Sequence, residues 1–297
     1  MKWRYPTDGN CIINFEFLTI RLLRNIETLM NKKPGIIRIF LLLILLVQQF
    51  PAGGQINTIQ PGNPGDRWVD SVMTSLTIDE MIGQLLVVRA NIPGQDYFDI
   101  IDQYIKNYNI GGVTFFGGHP ALQARRTNHW QSLAKTPLFI SIDGEWGPAM
   151  RLDSIMAFPY QMTLGAISND SLIYQMGLEV ARQCKQIGVQ INFAPVVDIN
   201  SNPDNPVIHM RSFGENKEDV ACKGLMYCKG MQDGGLIVTA KHFPGHGDTG
   251  SDSHYTLPVI PHSRQRLDSV EFYPYRQLIG AGLDGIMIAH LYVPSLE

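Results

Sequence analysis

The sequence predicts an α/β protein with a (β/α)8 barrel of the TIM type, and three observations support this class. Six apolar runs of the kind that form buried parallel strands recur between residues 84 and 293. Amphipathic stretches with apolar residues at helical spacing lie between them. Reactive polar side chains follow the ends of several runs, which favours a barrel over a doubly wound sheet with one switch point.

The elements are expected in a fixed order along the chain. Thr77–Glu80 (TIDE) is a capping box, and it predicts a helix that continues through Met81 and Leu85. Further helices are predicted over residues 170–188 and 272–285. The predicted strands are residues 84–90, 111–116, 137–143, 189–199, 235–243 and 285–293. A closed barrel needs eight strands, so the barrel is expected to be incomplete at the C-terminus, with about six strands present.

The N-terminal part of the chain predicts an export signal. Basic residues within 32–38 precede an apolar run at 39–47, and a small-residue segment follows. These are the three parts of a secretory signal, and nine apolar residues are too few to span a bilayer. We predict that residues 1–54 are an extension with a signal peptide that starts at Met30, and that 55–297 form the barrel. The protein is expected to be periplasmic or extracellular, without a stable membrane span; an uncleaved anchor or a core helix is the alternative.

Composition argues against several function classes. The formal net charge is −3 and charged residues make up 17% of the chain, so there is no basic surface for nucleic acid. The four cysteines contain no CxxC pair. No glycine-rich dinucleotide fingerprint follows a predicted strand, which argues against nicotinamide chemistry. We therefore expect no nucleic-acid partner and no cofactor.

The stretch Lys241–His254 (KHFPGHGDTGSDSH) contains three histidines and two aspartates in fourteen residues. His242 and His246 have the H-x-x-x-H spacing of zinc sites, but a proline and a glycine between them argue against the helix that this pair needs. A phosphate cradle would need a helix after the turn, whereas the sequence continues polar. A mobile loop that moves a proton is the third possibility, and a solvated loop without a role is the fourth.

The D-S-H end of this stretch favours the proton-moving loop. Asp252 and His254 are two residues apart, so their side chains can touch in an extended loop. A neighbouring carboxylate holds the tautomer of a histidine and stabilises its protonated form. Three glycines in the stretch allow such a loop to move over a ligand.

The stretch strongly resembles the loop of glycoside hydrolase family 3 β-N-acetylglucosaminidases, the NagZ-like subgroup. Supporting motifs occur in the family's order over residues 66–297: TIDEMIGQLL, IGGVTFF, FAPVVDIN, RSFGE and GLDGIMIAHLYVP. The resemblance implies a retaining hydrolase on a TIM-like barrel, with Asp252 and His254 as a catalytic dyad and without a metal. His254 would donate a proton to the leaving oxygen and later accept one from water. The substrate contacts implied by the motifs are Asp143, Arg211, Lys241 and His242.

This resemblance implies an exported β-N-acetylhexosaminidase. Its substrates would be peptidoglycan fragments or chitin-type oligosaccharides with a terminal β-N-acetylglucosamine, cleaved through a covalent glycosyl-enzyme. A β-glucosidase of the same family and a non-catalytic sugar-binding module are the alternatives. Relatives carry the nucleophile as an aspartate after the strand that follows GLDGIMIAHLYVP, so the chain ending at Glu297 is expected to lack it and to be inactive by itself.

Several of these residues have alternative roles. Arg211 could pair with a structural acid, and His242 could be a satisfied core histidine. Asp198 is assigned to the scaffold. The segment SIDGEWG departs from many relatives, which carry Gln-Glu-Gly-Gly after the aspartate, and Trp146 within it could stack on a sugar ring or pack in the core.

Overall fold

The computed structural model describes residues 64–90 and 98–296 of the 297-residue chain. The chain divides into two compact units, residues 1–71 and residues 72–297. Of the first unit, the structure describes residues 64–71, which belong to helix α1 (Pro64–Ser75). The predicted extension and signal peptide, residues 1–54 with a start at Met30, lie outside the described residues.

Among the described residues, the second unit contains six parallel strands that pair in chain order as one sheet. The strands are β1 (Val87–Ala90), β2 (Gly112–Phe115), β3 (Phe139–Ile142), β4 (Ile191–Asn192), β5 (Ile237–Phe243) and β6 (Gly285–Ile288). The helices are α2 (Ile78–Gln84), α3 (Phe98–Tyr108), α4 (Pro120–Leu133), α5 (Gln161–Gly165), α6 (Ser171–Gln186), α7 (Lys217–Asp233), α8 (Arg264–Ser269) and α9 (Phe272–Gly280). Short 3-10 turns are Pro148–Met150, His209–Arg211 and Pro294–Leu296.

The main core lies between the strands and the helices that connect them. Strand residues such as Val113, Ile140 and Val238 are fully buried, as expected for parallel strands that are covered by helices. Trp130 of α4 and Tyr227 of α7 are the largest fully buried side chains. The sheet and its helices therefore bury one continuous apolar cluster, and the ends of the strands are fixed by it.

Local sequence signals account for several element boundaries. The predicted capping box is confirmed, because the Thr77 side chain accepts from the backbone of Glu80 while the Glu80 side chain accepts from the backbone of Thr77. Helices α6 and α7 pack against each other. Gly230 permits this contact, since a Cβ at this position would lie 2.2 Å from the carbonyl oxygen of Tyr174.

The fourth strand is much shorter than the predicted run of residues 189–199. Regular pairing covers Ile191–Asn192, and beyond them Pro195 has no N–H with which to continue the ladder. The segment still follows the sheet, because Val197 N donates to the carbonyl oxygen of Lys241 at 2.8 Å. The polar residues after β4 are therefore held beside β5 by irregular hydrogen bonds.

The sheet is an incomplete α/β barrel of the TIM type, in agreement with the predicted fold class. Strands β1 and β6 are its two edges among the described residues, and Val87 and Ile288 on them are 46% and 74% exposed. None of the helices described is long and apolar enough to cross a membrane.

Candidate active site

The candidate active site lies at the carboxyl ends of three neighbouring strands, β3, β4 and β5, which end at a common edge of the sheet. Its side chains come from the segments that follow β3 and β4, from the end of β5 and from the 3-10 turn before α7. They are Asp143, Glu145, Arg151, Asp198, Arg211, Lys241 and His242, and we call these seven residues the charged floor.

Lys241 is the buried cation of the charged floor, with 1% of the residue exposed. Its Nζ donates to Oδ1 of Asp143 and lies 2.8 Å from Oε1 of Glu145. Arg151 binds Asp143 as well, because its Nη2 donates to Oδ2 and its Nε donates to the backbone carbonyl at 3.1 Å. The ammonium charge is thus compensated by two carboxylates in a place that water does not reach.

Arg211 and His242 continue the network on the other side of Glu145. Arg211 binds Glu145 in a bidentate manner, with Nε 2.9 Å from Oε2 and Nη2 2.6 Å from Oε1. Nη2 of Arg211 also lies 3.2 Å from Nε2 of His242. Because a guanidinium can only donate, His242 Nε2 accepts, and the ring proton on Nδ1 is donated to Asp198 at 2.6 Å. His242 is therefore a neutral bridge between Arg211 and Asp198.

Two carboxylates of the floor, Glu145 and Asp198, are stabilised in their charged forms. Burial on its own raises the pKa of Glu145, but the charges and hydrogen bonds of Lys241 and Arg211 outweigh it and lower the pKa to about 2. Burial also opposes ionisation of Asp198, and its interactions with His242 lower the pKa of Asp198 overall. Three carboxylates thus balance three cations: Asp143, Glu145 and Asp198 against Arg151, Arg211 and Lys241.

The floor exposes part of its surface to solvent. The side chains of Asp143, Arg151, Arg211 and His242 are 16–23% exposed. Beneath them, Lys241, Glu145 and Asp198 are 0–2% exposed. Carboxylate oxygens accept and guanidinium groups donate hydrogen bonds, so the exposed edge can bind a ligand that is rich in hydroxyl groups.

The predicted dyad forms in the exposed part of the loop. Oδ1 of Asp252 accepts from the backbone N of His254 at 2.8 Å and from its Nδ1 at 2.7 Å, and these contacts lower the pKa of Asp252. The His254 side chain is 72% exposed. Since Nδ1 donates to the carboxylate, Nε2 is the ring atom left to exchange a proton, and it has no hydrogen-bond partner among the described residues.

The loop that carries the dyad has a buried base and an exposed tip. Residues 244–249 are mostly buried, whereas residues 254–257 are exposed. Gly247 fixes the base, since a Cβ there would lie 1.8 Å from the carbonyl oxygen of Ile199. A Cβ at Gly250 would meet no atom within 4 Å. The base is therefore packed against the segment after β4, and the tip is not confined in this way.

The two histidines with zinc-like spacing do not converge on a common point. His242 uses Nδ1 for Asp198 and Nε2 for Arg211. His246 uses Nδ1 for Thr249 and has Nε2 2.9 Å from the Ser253 hydroxyl. Each ring nitrogen is engaged within the protein, and the described residues contain no group of three or more side chains arranged to hold a metal ion.

The four residues predicted to contact the substrate all belong to the charged floor: Asp143, Arg211, Lys241 and His242. The predicted dyad forms as well, but no hydrogen bond or ion pair in the described part of the chain joins it directly to the floor. Trp146 is half-buried and packs against Tyr160, with ring centroids 4.5 Å apart.

Sequence reasoning assigns no substrate contact to four residues that the structure places in or beside the floor: Glu145, Arg151, Asp198 and His246. Asp198 is expected to be scaffold, and it accepts hydrogen bonds from His242 and His246. The one sequence signal for Glu145 is its position two residues after Asp143, at the end of a predicted strand. Its binding of Arg211, 66 residues away, has no local signal.

Comparisons with known proteins find a matching family and several similar proteins. The family described as “Glycosyl hydrolase family 3 N terminal domain” matches residues 77–297. “Beta-hexosaminidase A” from Pseudoalteromonas piscicida is 37% identical over 211 residues, which are 66% of this chain and 35% of that protein. A Cellulomonas fimi protein named “Beta-N-acetylglucosaminidase/beta-glucosidase” is 29% identical over 231 residues, which are 78% of this chain and 40% of that protein.

Among solved structures, a glycoside hydrolase family 3 β-N-acetylglucosaminidase from Paenibacillus sp. strain FPU-7 is similar to this chain. The TM-score is 0.70 and the sequence identity is 39%, and the match covers 75% of this chain and 43% of that one. This chain therefore spans less than half of the length of each of these three proteins.

Proposed function

The chain belongs to glycosyl hydrolase family 3, and we propose that the protein is an exported retaining β-N-acetylhexosaminidase. It removes terminal β-N-acetylglucosamine from peptidoglycan fragments or chitin-type oligosaccharides. The observation that carries the proposal is the Asp252–His254 pair, in which a carboxylate holds Nδ1 at 2.7 Å and leaves Nε2 available. The names of the relatives support the choice of sugar.

The charged floor binds the terminal sugar in this proposal. Asp143 accepts hydrogen bonds from hydroxyl groups, Arg211 presents N–H groups, and His242 presents the edge of its ring at the exposed rim. Lys241 lies beneath them and holds the Asp143 carboxylate in place. Because the floor is bound by its own ion pairs before any ligand arrives, the sugar meets groups that are already oriented.

His254 acts as the general acid and base. Its Nε2 donates a proton to the leaving oxygen in the first step and removes one from water in the second. Asp252 keeps the proton of Nδ1 in place and stabilises the imidazolium. This arrangement replaces the carboxylic acid that most glycosidases use.

The covalent step also needs a carboxylate nucleophile on the opposite side of the sugar. The family resemblance assigns that role to an aspartate after the strand that follows β6, and we assign it to no residue of the printed sequence. Activity tests of the proposal therefore use the product of the complete gene.

The sugar preference is tested by comparing p-nitrophenyl β-N-acetylglucosaminide with p-nitrophenyl β-glucoside. We expect kcat/KM to be higher for the first substrate by at least about 10-fold, since binding of an acetamido group adds interactions of about 1.4 kcal/mol or more. Equal or faster cleavage of the glucoside would favour the second candidate, a β-glucosidase, to which the double name of the Cellulomonas relative points. Binding of both sugars without turnover of either would favour a sugar-binding module.

The acid role of His254 is tested by His254→Ala with leaving groups of different basicity. We expect glycosyl-enzyme formation to slow by about 100-fold or more for substrates with poor leaving groups and far less for a substrate with a dinitrophenolate leaving group. Only the poor leaving groups need a proton to depart. Equal losses on both substrates would contradict the assignment of His254 as the acid.

A further inference from the structure

His246 lies between the charged floor and the dyad, and the proposed mechanism does not yet use it. It is 1% exposed. Its backbone N donates to Oδ1 of Asp198 at 2.7 Å, which fixes the residue to the floor. Its Nε2 lies 2.9 Å from the hydroxyl of Ser253, the residue between Asp252 and His254 in the chain.

One arrangement of hydrogen atoms satisfies all contacts of the His246 ring. The Thr249 hydroxyl donates to the carbonyl oxygen of His246 at 3.0 Å, so its proton is already used. Thr249 Oγ1, which lies 2.6 Å from Nδ1 of His246, must then accept from that nitrogen. The Nδ1 proton leaves Nε2 as an acceptor, and the Ser253 hydroxyl donates to it. In this arrangement the neutral imidazole makes both hydrogen bonds, donating through Nδ1 and accepting through Nε2.

We propose that His246 is a positioning residue that fastens the dyad to the charged floor through the Ser253 hydroxyl. The loop base at residues 244–249 is packed, while the tip is exposed. The hydrogen bond from Ser253 to His246 joins these two parts directly beside Asp252 and His254. This inference rests on the proposed function, because it supplies the dyad with a fixed starting position for proton transfer.

The surroundings of His246 favour its neutral form. Burial lowers the pKa of His246, and the positive charge of Arg211 lowers it further, while Asp198 acts in the opposite direction. A neutral imidazole keeps one acceptor nitrogen, and Ser253 uses it.

Ser253→Ala tests the proposal, with Ser253→Thr and Ser251→Ala as matched variants. The first removes the hydroxyl, the second keeps one, and the third removes a neighbouring hydroxyl that has no hydrogen-bond partner among the described residues. For the complete protein acting on N,N′-diacetylchitobiose, we expect Ser253→Ala to lower kcat/KM by about 3- to 10-fold, the effect of one hydrogen bond. On 2,4-dinitrophenyl β-N-acetylglucosaminide, which needs no acid, we expect a loss below about 2-fold. Ser253→Thr restores most of the chitobiose rate, and Ser251→Ala matches the wild type.

Hydrogen exchange measured by mass spectrometry gives a second readout that needs no activity. We expect the amides of residues 250–256 to exchange about 3- to 10-fold faster in Ser253→Ala than in Ser251→Ala, while those of strand β5 stay unchanged. Equal exchange rates of residues 250–256 in Ser253→Ala and Ser251→Ala would overturn the proposal. Equal losses of kcat/KM for Ser253→Ala on the two substrates would also overturn it. If the wild type cleaves neither substrate, the proposed function fails, and the exchange comparison still decides whether His246 holds the loop.

Discussion

Replacement of Glu145 by glutamine is expected to destabilise the protein strongly, because this carboxylate compensates two cations inside the fold. Glu145 is 0% exposed and binds both Lys241 and Arg211. The six ionised groups of the charged floor are balanced in charge. The amide of glutamine is similar in size to the carboxylate but neutral, so the variant's floor would carry one uncompensated positive charge in a place with little solvent.

The size of the effect follows from the pKa of Glu145. The fall from an ordinary value of 4.5 to about 2 corresponds to a preference of about 3 kcal/mol for the charged form in the folded state. Loss of one partner of a buried ion pair costs about 3 to 5 kcal/mol, which agrees with the value obtained from the pKa. For a unit of this length, about 3 kcal/mol lowers Tm by roughly 6–12 °C.

The assay is thermal and urea unfolding of both proteins, with Glu179→Gln as the matched control. Glu179 also pairs with an arginine, Arg182, but on the surface, where the arginine side chain is 56% exposed. Such pairs contribute less than about 1 kcal/mol. We expect the Tm of the control to stay within about 3 °C of the wild type.

The pH dependence has a definite sign. Because the pKa of Glu145 is lowered on folding, its contribution is present above about pH 4.5 and is lost as the pH falls from there towards about 2. The stability difference between the wild type and Glu145→Gln should therefore shrink below about pH 4.5. A Glu145→Gln variant as stable as Glu179→Gln at pH 7, or a difference that grows with acid, would refute this reasoning.

Three further predictions concern the loop. Gly247→Ala should lower the free energy of unfolding by more than about 2 kcal/mol, because the added Cβ would overlap the carbonyl of Ile199. Gly250→Ala should change the free energy of unfolding by less than about 0.5 kcal/mol, since its Cβ would meet no atom within 4 Å. Equal urea midpoints for the two variants would contradict the packed base of the loop. Asp252→Asn should lower kcat at least about 10-fold, because the His254 imidazolium loses the carboxylate that stabilises it. An unchanged kcat would contradict the dyad. EDTA should leave the rate of hydrolysis unchanged, since the ring nitrogens of His242 and His246 are engaged within the protein. Inactivation by EDTA that zinc reverses would contradict the dyad mechanism.

Local patterns are sufficient to predict most of the fold. The capping box at Thr77 and the apolar runs indicate the element order, because both depend on residues that are close in the chain. The predicted strand at 189–199 is too long, since an apolar run does not show where Pro195 interrupts the hydrogen-bond ladder. Strand bounds depend on the partner strand, and the run by itself carries no information about that partner.

The charged floor is predictable only in part. Asp143 and Lys241 lie near the ends of predicted strands, where parallel strands bring side chains together, and the family resemblance implies them as substrate contacts. Arg151 and Glu145 cannot be assigned from sequence, since their roles depend on contacts across the top of the sheet. Asp198 is expected to be scaffold, and its hydrogen bonds with His242 and His246 agree with that role, although the sequence gives no signal for these two partners.

The division between floor and tip explains why the site contains both buried and exposed ion pairs. Lys241 and Glu145 are compensated where the effective dielectric constant is low, so their geometry is strongly held and the rim is fixed before a ligand binds. The Asp252–His254 pair is exposed, and in water it contributes little to stability. In the proposed mechanism, a ligand that covers the pair removes water from it and strengthens its electrostatic interaction at the stage when the proton is transferred. The buried base of the loop is packed beside the floor, and His246 connects it to the exposed tip. One loop therefore combines a fixed base with a dyad that a ligand can cover.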